Sequence, residues 1–270
     1  MTEINRRKFL QRCFQIGGIA ALTGLGMGAV EDAIGFKILP AIAGGGGAVS
    51  CVSGNDAQTV LLIHSNTTDG STTFVDSSQG GTDHTADISV VGDTHHETDQ
   101  QKFGTTSIYF DGVGDYLTIP DHADWDFGAG DFCVEFWVNF GGSIDADSGL
   151  IGRYNGSPGG WGLQFSSNQL GWYYDAGSWY VYAWVPAINT WYHIAVLRSS
   201  GTLYIFVDGT SIGSTADGTN YDTNSALRIG DYAAAGASPM TGYLDEIAIH
   251  KGKAVYAAGG FTPNANAYCD

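Results

Sequence analysis

The chain has 270 residues, with 28 acidic and 11 basic side chains and a formal net charge of −17. This charge argues against nucleic acid or an anionic membrane as the partner, because binding to either needs clustered Lys and Arg. Hydrophobic residues make up 43% of the chain and glycine contributes 40 residues, which predicts a packed interior with many tight turns. The aromatic share of 13% favours strands over long helices.

Residues 1–43 are predicted to form an export signal of the twin-arginine (Tat) type. The stretch Arg-Arg-Lys-Phe-Leu at 6–10 precedes an apolar, glycine-rich run over 14–30, and this pattern resembles bacterial Tat signals. A membrane anchor is the alternative, but the glycines and the short apolar run disfavour a stable span. Small residues at 41–43 give a cleavage site, with an earlier one at Ala29. We therefore expect a protein exported to the periplasm, the extracellular space or the cell surface, with no membrane contact beyond this signal.

The remainder of the chain is predicted to be a short linker and one β-rich domain. Residues 44–56 are mostly small and polar, whereas β-branched and aromatic runs recur through 57–270. This spacing, without helical periodicity, predicts an all-β fold: a two-sheet antiparallel β-sandwich or jelly roll. The strongest predicted strands are 60–64, 107–110, 116–119, 132–140, 150–154, 161–165, 170–174, 191–197, 203–207, 227–229 and 243–250.

Alternation within two of these runs predicts which residues face the core. In the run 132–138 the even-numbered residues are Phe or Val and share one face. Residues 203–207 are apolar on both faces, as in a strand covered on both sides. Asp208 and Gly209 then supply the positive φ angles of a hairpin turn.

Five segments, in order, carry the pattern of a known superfamily. They read FDGVGDYL at 110–117, FCVEFWV at 132–138, TWYHIAVLR at 190–198, GTLYIFVDG at 201–209 and GYLDEIAI at 242–249. These segments resemble the concanavalin A-like lectin/glucanase superfamily, in particular its laminin G-like and pentraxin-like branches. The resemblance covers nearly all of the chain after the signal and implies a concanavalin A-like sandwich. Because this fold carries lectins, adhesins and hydrolases alike, the function must be argued from the residues.

Catalysis is not expected. A glycoside hydrolase needs two carboxylates flanking the scissile bond, and the glucanase branch supplies them from an E-x-D-x-x-E strand that this chain lacks. After the signal the only glutamates are Glu97, Glu135 and Glu246. Glu135 alternates with Cys133 and Trp137 and so has no carboxylate two residues away, and the neighbour of Glu246 points to the opposite face of its strand. His193 lies in a predicted strand and is expected to be a packed core histidine.

The resemblance implies calcium as a cofactor. Domains of this fold often hold Ca²⁺ through loop Asp and Asn oxygens, the ligand type that this ion prefers. By resemblance the candidate metal ligands are Asn66, Asp231 and Asp245. The alternative is that these are solvated side chains that keep an acidic exported protein soluble.

The cysteines are consistent with an oxidising compartment. Cys51 precedes the first predicted strand and Cys269 is the penultimate residue. If the termini meet, as they do in many β-sandwiches, these two residues form a disulfide. Cys133 is expected to be a small buried residue. The sequence contains no local Cys/His spacing typical of zinc sites.

The segment 93–97 combines two histidines with acidic residues and is a weak candidate for a metal patch. In a strand His95 and His96 would point to opposite faces and could not bind the same ion. We therefore predict a surface loop here.

The aromatic run over 171–184 is the strongest candidate for ligand binding. Flat rings stack on the C–H faces of sugars, and nearby oxygens take the hydroxyl groups. If the run forms two strands, one row of side chains must enter the core, so only about half can be a platform. Core packing of the whole run, or a contact between protomers, is the alternative. The candidate residues are Trp172, Tyr174, Tyr180, Tyr182 and Trp184.

These observations predict a non-catalytic binding or adhesion module that recognises carbohydrate or an extracellular protein, with calcium assistance. One alternative is a self-assembling structural subunit of an extracellular filament, shell or envelope layer, whose aromatic strands make the interfaces. The second alternative is a divergent glycoside hydrolase.

Overall fold

A computed structural model describes the part of the chain that begins at Cys51. It covers residues 51–142, 147–154, 156, 158–174, 177–232 and 239–270. The predicted signal over 1–43 and the first part of the predicted linker lie outside the described residues. Within the described part of the chain, no helix has the length and apolar character that crossing a membrane requires.

The regular structure of the described residues is fifteen strands and one 3₁₀ helix, Ala123–Trp125. Every run predicted as a strand overlaps one of the fifteen strands, because β-branched and aromatic residues fit a pleated, covered surface. The strands are β1 (Thr59–Ile63), β2 (Ser89–Val91), β3 (His95–Glu97), β4 (Ser107–Asp111), β5 (Tyr116–Ile119), β6 (Phe132–Phe140), β7 (Ser148–Arg153), β8 (Trp161–Ser166), β9 (Gln169–Tyr174), β10 (Ser178–Ala183), β11 (Trp191–Ser199), β12 (Thr202–Val207), β13 (Thr210–Ala216), β14 (Leu227–Ile229) and β15 (Thr241–Lys251).

The strands form two antiparallel sheets that enclose the core. The first sheet has eight strands in the order β13-β12-β11-β6-β15-β4-β3, with β1 paired to β15 beside this path. The second sheet has seven strands in the order β10-β9-β8-β7-β14-β5-β2. This architecture confirms the predicted all-β, two-sheet sandwich.

Alternating side chains fill the space between the sheets. On β6 the side chains of Phe132, Val134, Phe136 and Val138 all lie in the main hydrophobic cluster, as the alternation predicts. Burying one such side chain stabilises the fold by roughly 1.5–3 kcal/mol. The hairpin turn after β12 also has the predicted backbone, with φ 47° at Asp208.

The outer face of the first sheet is covered by the C-terminal segment, residues 252–270. Tyr256 and Phe261 pack on a second cluster built from outward-facing residues of β6, β11 and β12, including Cys133 and Phe206. Phe261 N–H donates to the Gly209 carbonyl at 3.0 Å, which fixes the segment to the β12–β13 turn. The cover explains why residues 203–207 are apolar on both faces.

A buried carboxylate, Glu135, lies beneath this segment at the middle of β6. It accepts hydrogen bonds from His193 Nε2 and His250 Nε2, each at 3.0 Å. The hydroxyl groups of Tyr256 and Tyr268 donate at 2.5 and 2.7 Å. Burial alone would raise the pKa of Glu135, but the two imidazoles hold it well below its ordinary value. Glu135 is thus a structural anion, and His193 is the packed core residue that the sequence predicts.

Two strands, β2 and β3, are not predicted from the sequence because each has only three residues. The prediction of a surface loop at 93–97 is wrong, since β3 pairs with β4. Alternation does separate the two histidines. His96 is buried and stacks on Phe74 with ring centroids 4.2 Å apart, whereas His95 lies on the other face.

A disulfide joins the two ends of the described chain. Cys51 and Cys269 are linked with 5.0 Å between their Cα atoms, and Cys133 is a free, buried cysteine. Val52 N–H donates to the Ala267 carbonyl at 2.8 Å, and Cys269 N–H donates to the Val52 carbonyl at 3.0 Å. Residues 51–56, predicted as linker, are therefore bonded to the C-terminal segment.

We expect Cys51→Ser to lower the free energy of unfolding by about 2–4 kcal/mol, because the disulfide closes a loop of 218 residues and so restricts the unfolded chain. Urea unfolding of the full chain with and without dithiothreitol checks this. Reductant should destabilise the wild type and leave the variant unchanged. Equal wild-type midpoints under both conditions would contradict the prediction.

Candidate functional site

A cleft of about 450 Å³ opens at one end of the first sheet, beside the disulfide. Its walls come from the end of β1, the segment before β4, strand β15 and the C-terminal segment. The lining residues that matter for its chemistry are His64, Ser65, Asn66, His96, Phe103, Glu246, Tyr268 and Asp270.

The cleft lies where β15 exchanges one neighbouring strand for another. Residues 241–244 pair with β4, whereas residues 247–250 pair with β1. On its other side β15 has a β-bulge between Asp245 and Ala248, and Glu246 in this bulge has φ 51°. A positive φ is uncommon for a residue other than glycine and often marks a functional position. Here the bulge coincides with the point where the Glu246 side chain reaches the cleft.

Glu246 and His64 form a partly buried ion pair in the cleft. His64 Nδ1 lies 2.6 Å from Glu246 Oε1, and His64 Nε2 lies 3.3 Å from Asp270 Oδ1. The other oxygen of Glu246 accepts the Tyr268 N–H at 2.9 Å. Burial disfavours the charged imidazole, but the carboxylates of Glu246 and Asp270 outweigh it and raise the pKa of His64. The cleft therefore contains an imidazole held between a buried carboxylate, Glu246, and an exposed one, Asp270.

A second histidine in the cleft is hydrogen-bonded through both ring nitrogens. His96 Nδ1 lies 2.6 Å from Ser65 Oγ, and His96 Nε2 lies 3.0 Å from the Thr73 carbonyl oxygen. The carbonyl can only accept, so Nε2 carries a proton and donates to it. Burial lowers the pKa of His96, which favours the neutral ring. Ser65 Oγ also lies 3.3 Å from Thr106 Oγ1, so the hydroxyl is held within a network.

The structure brings two predicted metal ligands, Asn66 and Asp245, against the same short segment. Thr105 Oγ1 donates to Asn66 Oδ1 at 3.1 Å, and Phe103 N–H donates to Asp245 Oδ2 at 3.0 Å. Asp245 also accepts the backbone N–H of Lys102 at 3.1 Å. Burial raises the pKa of Asp245 to about 8, and the neighbouring Glu246 adds to this shift. Both carboxyl oxygens of Asp245 accept backbone N–H groups, and its role as a calcium ligand stays a prediction.

The third predicted metal ligand, Asp231, follows β14 of the second sheet. Its Oδ2 lies 3.2 Å from Arg228 Nη1, and its Oδ1 accepts the Tyr232 N–H at 2.7 Å. Asp231 thus takes part in a local ion pair, on a different sheet from the strand that carries Asp245. Calcium binding stays a prediction from the family resemblance.

The aromatic run forms β9 and β10. The prediction that Trp172 belongs to a surface platform is wrong. Trp172 is fully buried, stacks on Trp161 with centroids 5.3 Å apart, and donates from Nε1 to the Tyr221 hydroxyl at 2.9 Å. Its side chain points between the sheets, where it also stacks on Phe132 of β6 in the facing sheet with centroids 5.6 Å apart. A ring in this position cannot stack on a sugar.

The other four candidates are half-buried and pack on the edge of the core: Tyr174, Tyr180, Tyr182 and Trp184. Tyr174 and Tyr180 stack with centroids 3.9 Å apart. The Tyr182 ring lies so close to Gly213 of β13 that a Cβ there would be 2.0 Å from Tyr182 Cδ1. The row therefore closes the open edge between the sheets. A ligand-binding role for these four residues stays a prediction.

Sequence reasoning missed most residues of the cleft, including His64, Ser65, His96 and Tyr268. These four residues come from three separate parts of the chain, and no local motif connects them. Of the cleft residues, Glu246 is the one that the sequence pattern could have indicated. A charged residue beside Asp245 interrupts the alternation of an otherwise apolar closing strand.

The family of this chain is shown by its sequence. The model of the family Laminin_G_3, of the concanavalin A-like lectin/glucanases superfamily, matches residues 110–255, more than half of the chain. The chain therefore belongs to the concanavalin A-like lectin/glucanases superfamily, as the five segments predict. Among curated proteins, none matches this sequence.

Solved structures with the same fold include binding domains of botulinum neurotoxins. The botulinum neurotoxin serotype C1 binding domain has a TM-score of 0.53 and 14% identity, and the match covers 73% of this chain and 50% of that one. The serotype D binding domain has a TM-score of 0.54 and 14% identity, with coverage of 74% and 49%. The chain spans about half the length of these structures, and at this identity the likeness shows the fold alone.

We expect Trp172→Ala to lower the free energy of unfolding by about 3–5 kcal/mol, because it leaves a large cavity in the core and removes the indole donor to the Tyr221 hydroxyl oxygen. Trp179→Ala is the matched control on the same hairpin, since Trp179 is half-buried on the outer face and should cost clearly less. Urea unfolding measures both. A small effect of Trp172→Ala on the free energy of unfolding would contradict the assignment of this residue to the core.

We expect His64 and His96 to titrate on opposite sides of 6.5, the ordinary pKa of histidine. Imidazole NMR titration, assigned with His64→Gln and His96→Gln, measures this. Because the folded-state pKa of His64 is raised, its pair with Glu246 stabilises the protein fully below pH 6.5 and ceases to do so as pH rises through the folded pKa. The stability advantage over His64→Gln should therefore shrink at alkaline pH. A constant difference would contradict the ion pair.

Proposed function

We propose that this protein is a non-catalytic binding module that takes a carbohydrate in the cleft beside the disulfide. The observation that supports the proposal most is the composition of this concave site. Asn66 is exposed at its rim, the paired Glu246 and His64 lie within it beside the exposed Asp270, and Phe103 lines the same cleft. Concave sites with rings and a few fixed polar groups suit sugars, whose hydroxyl groups need donors and acceptors.

Two structural neighbours support carbohydrate as the ligand class by analogy of fold. One is botulinum neurotoxin type C, whose cell entry depends on interaction with two ganglioside molecules. Another is the binding domain of botulinum neurotoxin DC in complex with SialylT. A third is a complex with rat synaptotagmin II, so a protein partner is the other outcome to test. Fold analogy alone does not carry function, which is why the cleft residues are the main support.

The contacts of Glu246 favour binding over catalysis. One of its oxygens is paired with His64 and the other accepts the Tyr268 N–H, so the carboxylate is held as an acceptor. The adjacent Asp245 is buried under backbone N–H groups. Glycoside hydrolysis needs two carboxyl groups placed on either side of one bond, and these two do not present that arrangement.

Export is part of this proposal. The Cys51–Cys269 disulfide is consistent with an oxidising compartment, where such bonds persist. The Tat-type segment supplies the route, and calcium remains an optional ligand to be tested with a chelator. The site of action is then the periplasm or the cell surface.

Self-association is a second candidate function, favoured by one edge of the second sheet. Strand β10 ends the sheet order, so among the described strands it pairs only with β9. Val181 on this strand is 47% exposed, and Val185 and Ile188 just beyond it are 66% and 51% exposed. An unpaired edge with exposed apolar residues can add a strand from a second copy. Light scattering of the purified protein tests this, and a monomer at high concentration excludes it.

A glycan array with the full chain, followed by calorimetry with and without EDTA, tests the proposed function. We expect Asn66→Ala to weaken binding of any identified glycan at least tenfold, about 1.4 kcal/mol, by removing a rim hydrogen-bonding group. Asn220→Ala is the matched control, since Asn220 is also exposed but does not line the cleft. No glycan binding under either condition, or equal loss in both variants, would overturn the proposal.

A further inference from the structure

Away from the cleft, two loops bring two histidines and an aspartate together. His84 Nε2 lies 3.0 Å from Asp124 Oδ2, and His122 Nδ1 lies 3.1 Å from the same oxygen. One ligand atom from each of the three residues lies within 4.8 Å of the others. His84 lies 38 residues before His122 in the sequence, so the fold brings it to the other two ligands.

The donor set matches a borderline divalent metal. Zinc binds imidazole nitrogen and carboxylate oxygen at roughly 2.0–2.2 Å, so ligand atoms in a tetrahedral site are about 3.2–3.6 Å apart. The two nitrogen–oxygen distances here are slightly shorter than that, and a small outward movement of the rings would admit the ion. Two imidazoles with one carboxylate suit zinc and its neighbours, whereas calcium prefers oxygen ligands only.

The imidazole of His122 has two neighbours at the cluster. Its Nδ1 accepts the Asp124 N–H at 3.2 Å, where His122 precedes the 3₁₀ helix. The same nitrogen lies 3.1 Å from the Asp124 carboxylate oxygen. Because Nδ1 has a single lone pair, binding a cation requires this nitrogen to release the Asp124 N–H.

Groups around the cluster hold the ligands in place. His84 is 1% exposed and its second ring nitrogen, Nδ1, lies 3.4 Å from Asp87 Oδ2. The Thr82 N–H donates to Asp124 Oδ2 at 2.9 Å, and the Trp125 ring packs on His84 with centroids 4.5 Å apart. A carboxylate on the far nitrogen of a ligating histidine is a common feature of metal sites, because it orients the ring and strengthens the ligand.

One side of the cluster is open to solvent. The His122 side chain is 38% exposed and that of Asp124 is 14% exposed, whereas His84 forms the buried floor. A bound ion would therefore have three protein ligands and an outward position for water or an oxygen of another molecule.

We propose that His84, His122 and Asp124 bind a divalent transition metal of the zinc type. The ion joins the loop that contains His84 to the loop that begins the 3₁₀ helix, and its outward position accepts an exogenous oxygen ligand. This site is separate from the cleft, so it does not depend on the proposed carbohydrate function.

Calorimetric titration of the EDTA-treated, dialysed full chain with Zn²⁺ tests the site. We expect one equivalent to bind and a rise in the thermal unfolding midpoint. His122→Ala should weaken binding at least tenfold, and circular dichroism should show that this partly exposed position tolerates the change. Asp124→Asn, which keeps the side-chain shape, should weaken binding as well.

His95→Ala is the matched control, because His95 also faces a carboxylate, with Nε2 3.4 Å from Glu97 Oε2. It should leave the Zn²⁺ affinity unchanged. Co²⁺ in place of Zn²⁺ should give a visible absorption band that His122→Ala removes. The proposal is overturned by a titration without saturation, by unchanged affinity in folded His122→Ala, or by Ca²⁺ competing as strongly as Zn²⁺.

Discussion

The buried charge of Glu135 is the interaction on which the arrangement of this molecule depends. A carboxylate at the centre of a sheet is tolerated only if donors surround it. Its donors come from β11, β15 and the C-terminal segment, so forming them requires that segment to lie across the outer face of the sheet. One residue of β6 thereby couples the sheet to its cover, and Tyr268, which bonds to it, also lines the cleft.

The cleft follows from the length of β15. This strand has eleven residues, longer than either β1 or β4, so the two shorter strands share one side of it. The bulge at Glu246 lies at the junction, where neither neighbour continues the ladder. Polar side chains that would be excluded from a regular sheet can collect there, and His64 extends from the end of β1 to meet Glu246. The position of the cleft therefore follows from the way β1 and β4 share one side of β15.

The sandwich was predictable from the sequence, and the site was not. Alternation in β6 and the positive φ positions after β12 are local, so the pattern of residues 132–138 and 208–209 specifies them. The cleft and the His84–His122 cluster depend on loops whose approach no local pattern encodes. The aromatic run shows the boundary between the two cases. Period-two alternation requires that one row of side chains in this run be buried, but it does not say which row. Only the packing of the folded sheets determines that Trp172 belongs to the buried row.

The Cys51–Cys269 disulfide makes the shape of the cleft depend on whether the surroundings are oxidising or reducing. Cys51, Cys269 and Asp270 all line the cleft, and Asp270 lies within ion-pair distance of His64. With the bond closed, the last residues are fixed against the start of the domain, and the wall that carries Asp270 is held. In a reducing compartment hydrogen bonds at Val52, Asn55 and Tyr268 still hold this end, but Asp270, which follows them, loses its covalent anchor. The disulfide thus fixes the wall of the cleft that faces His64.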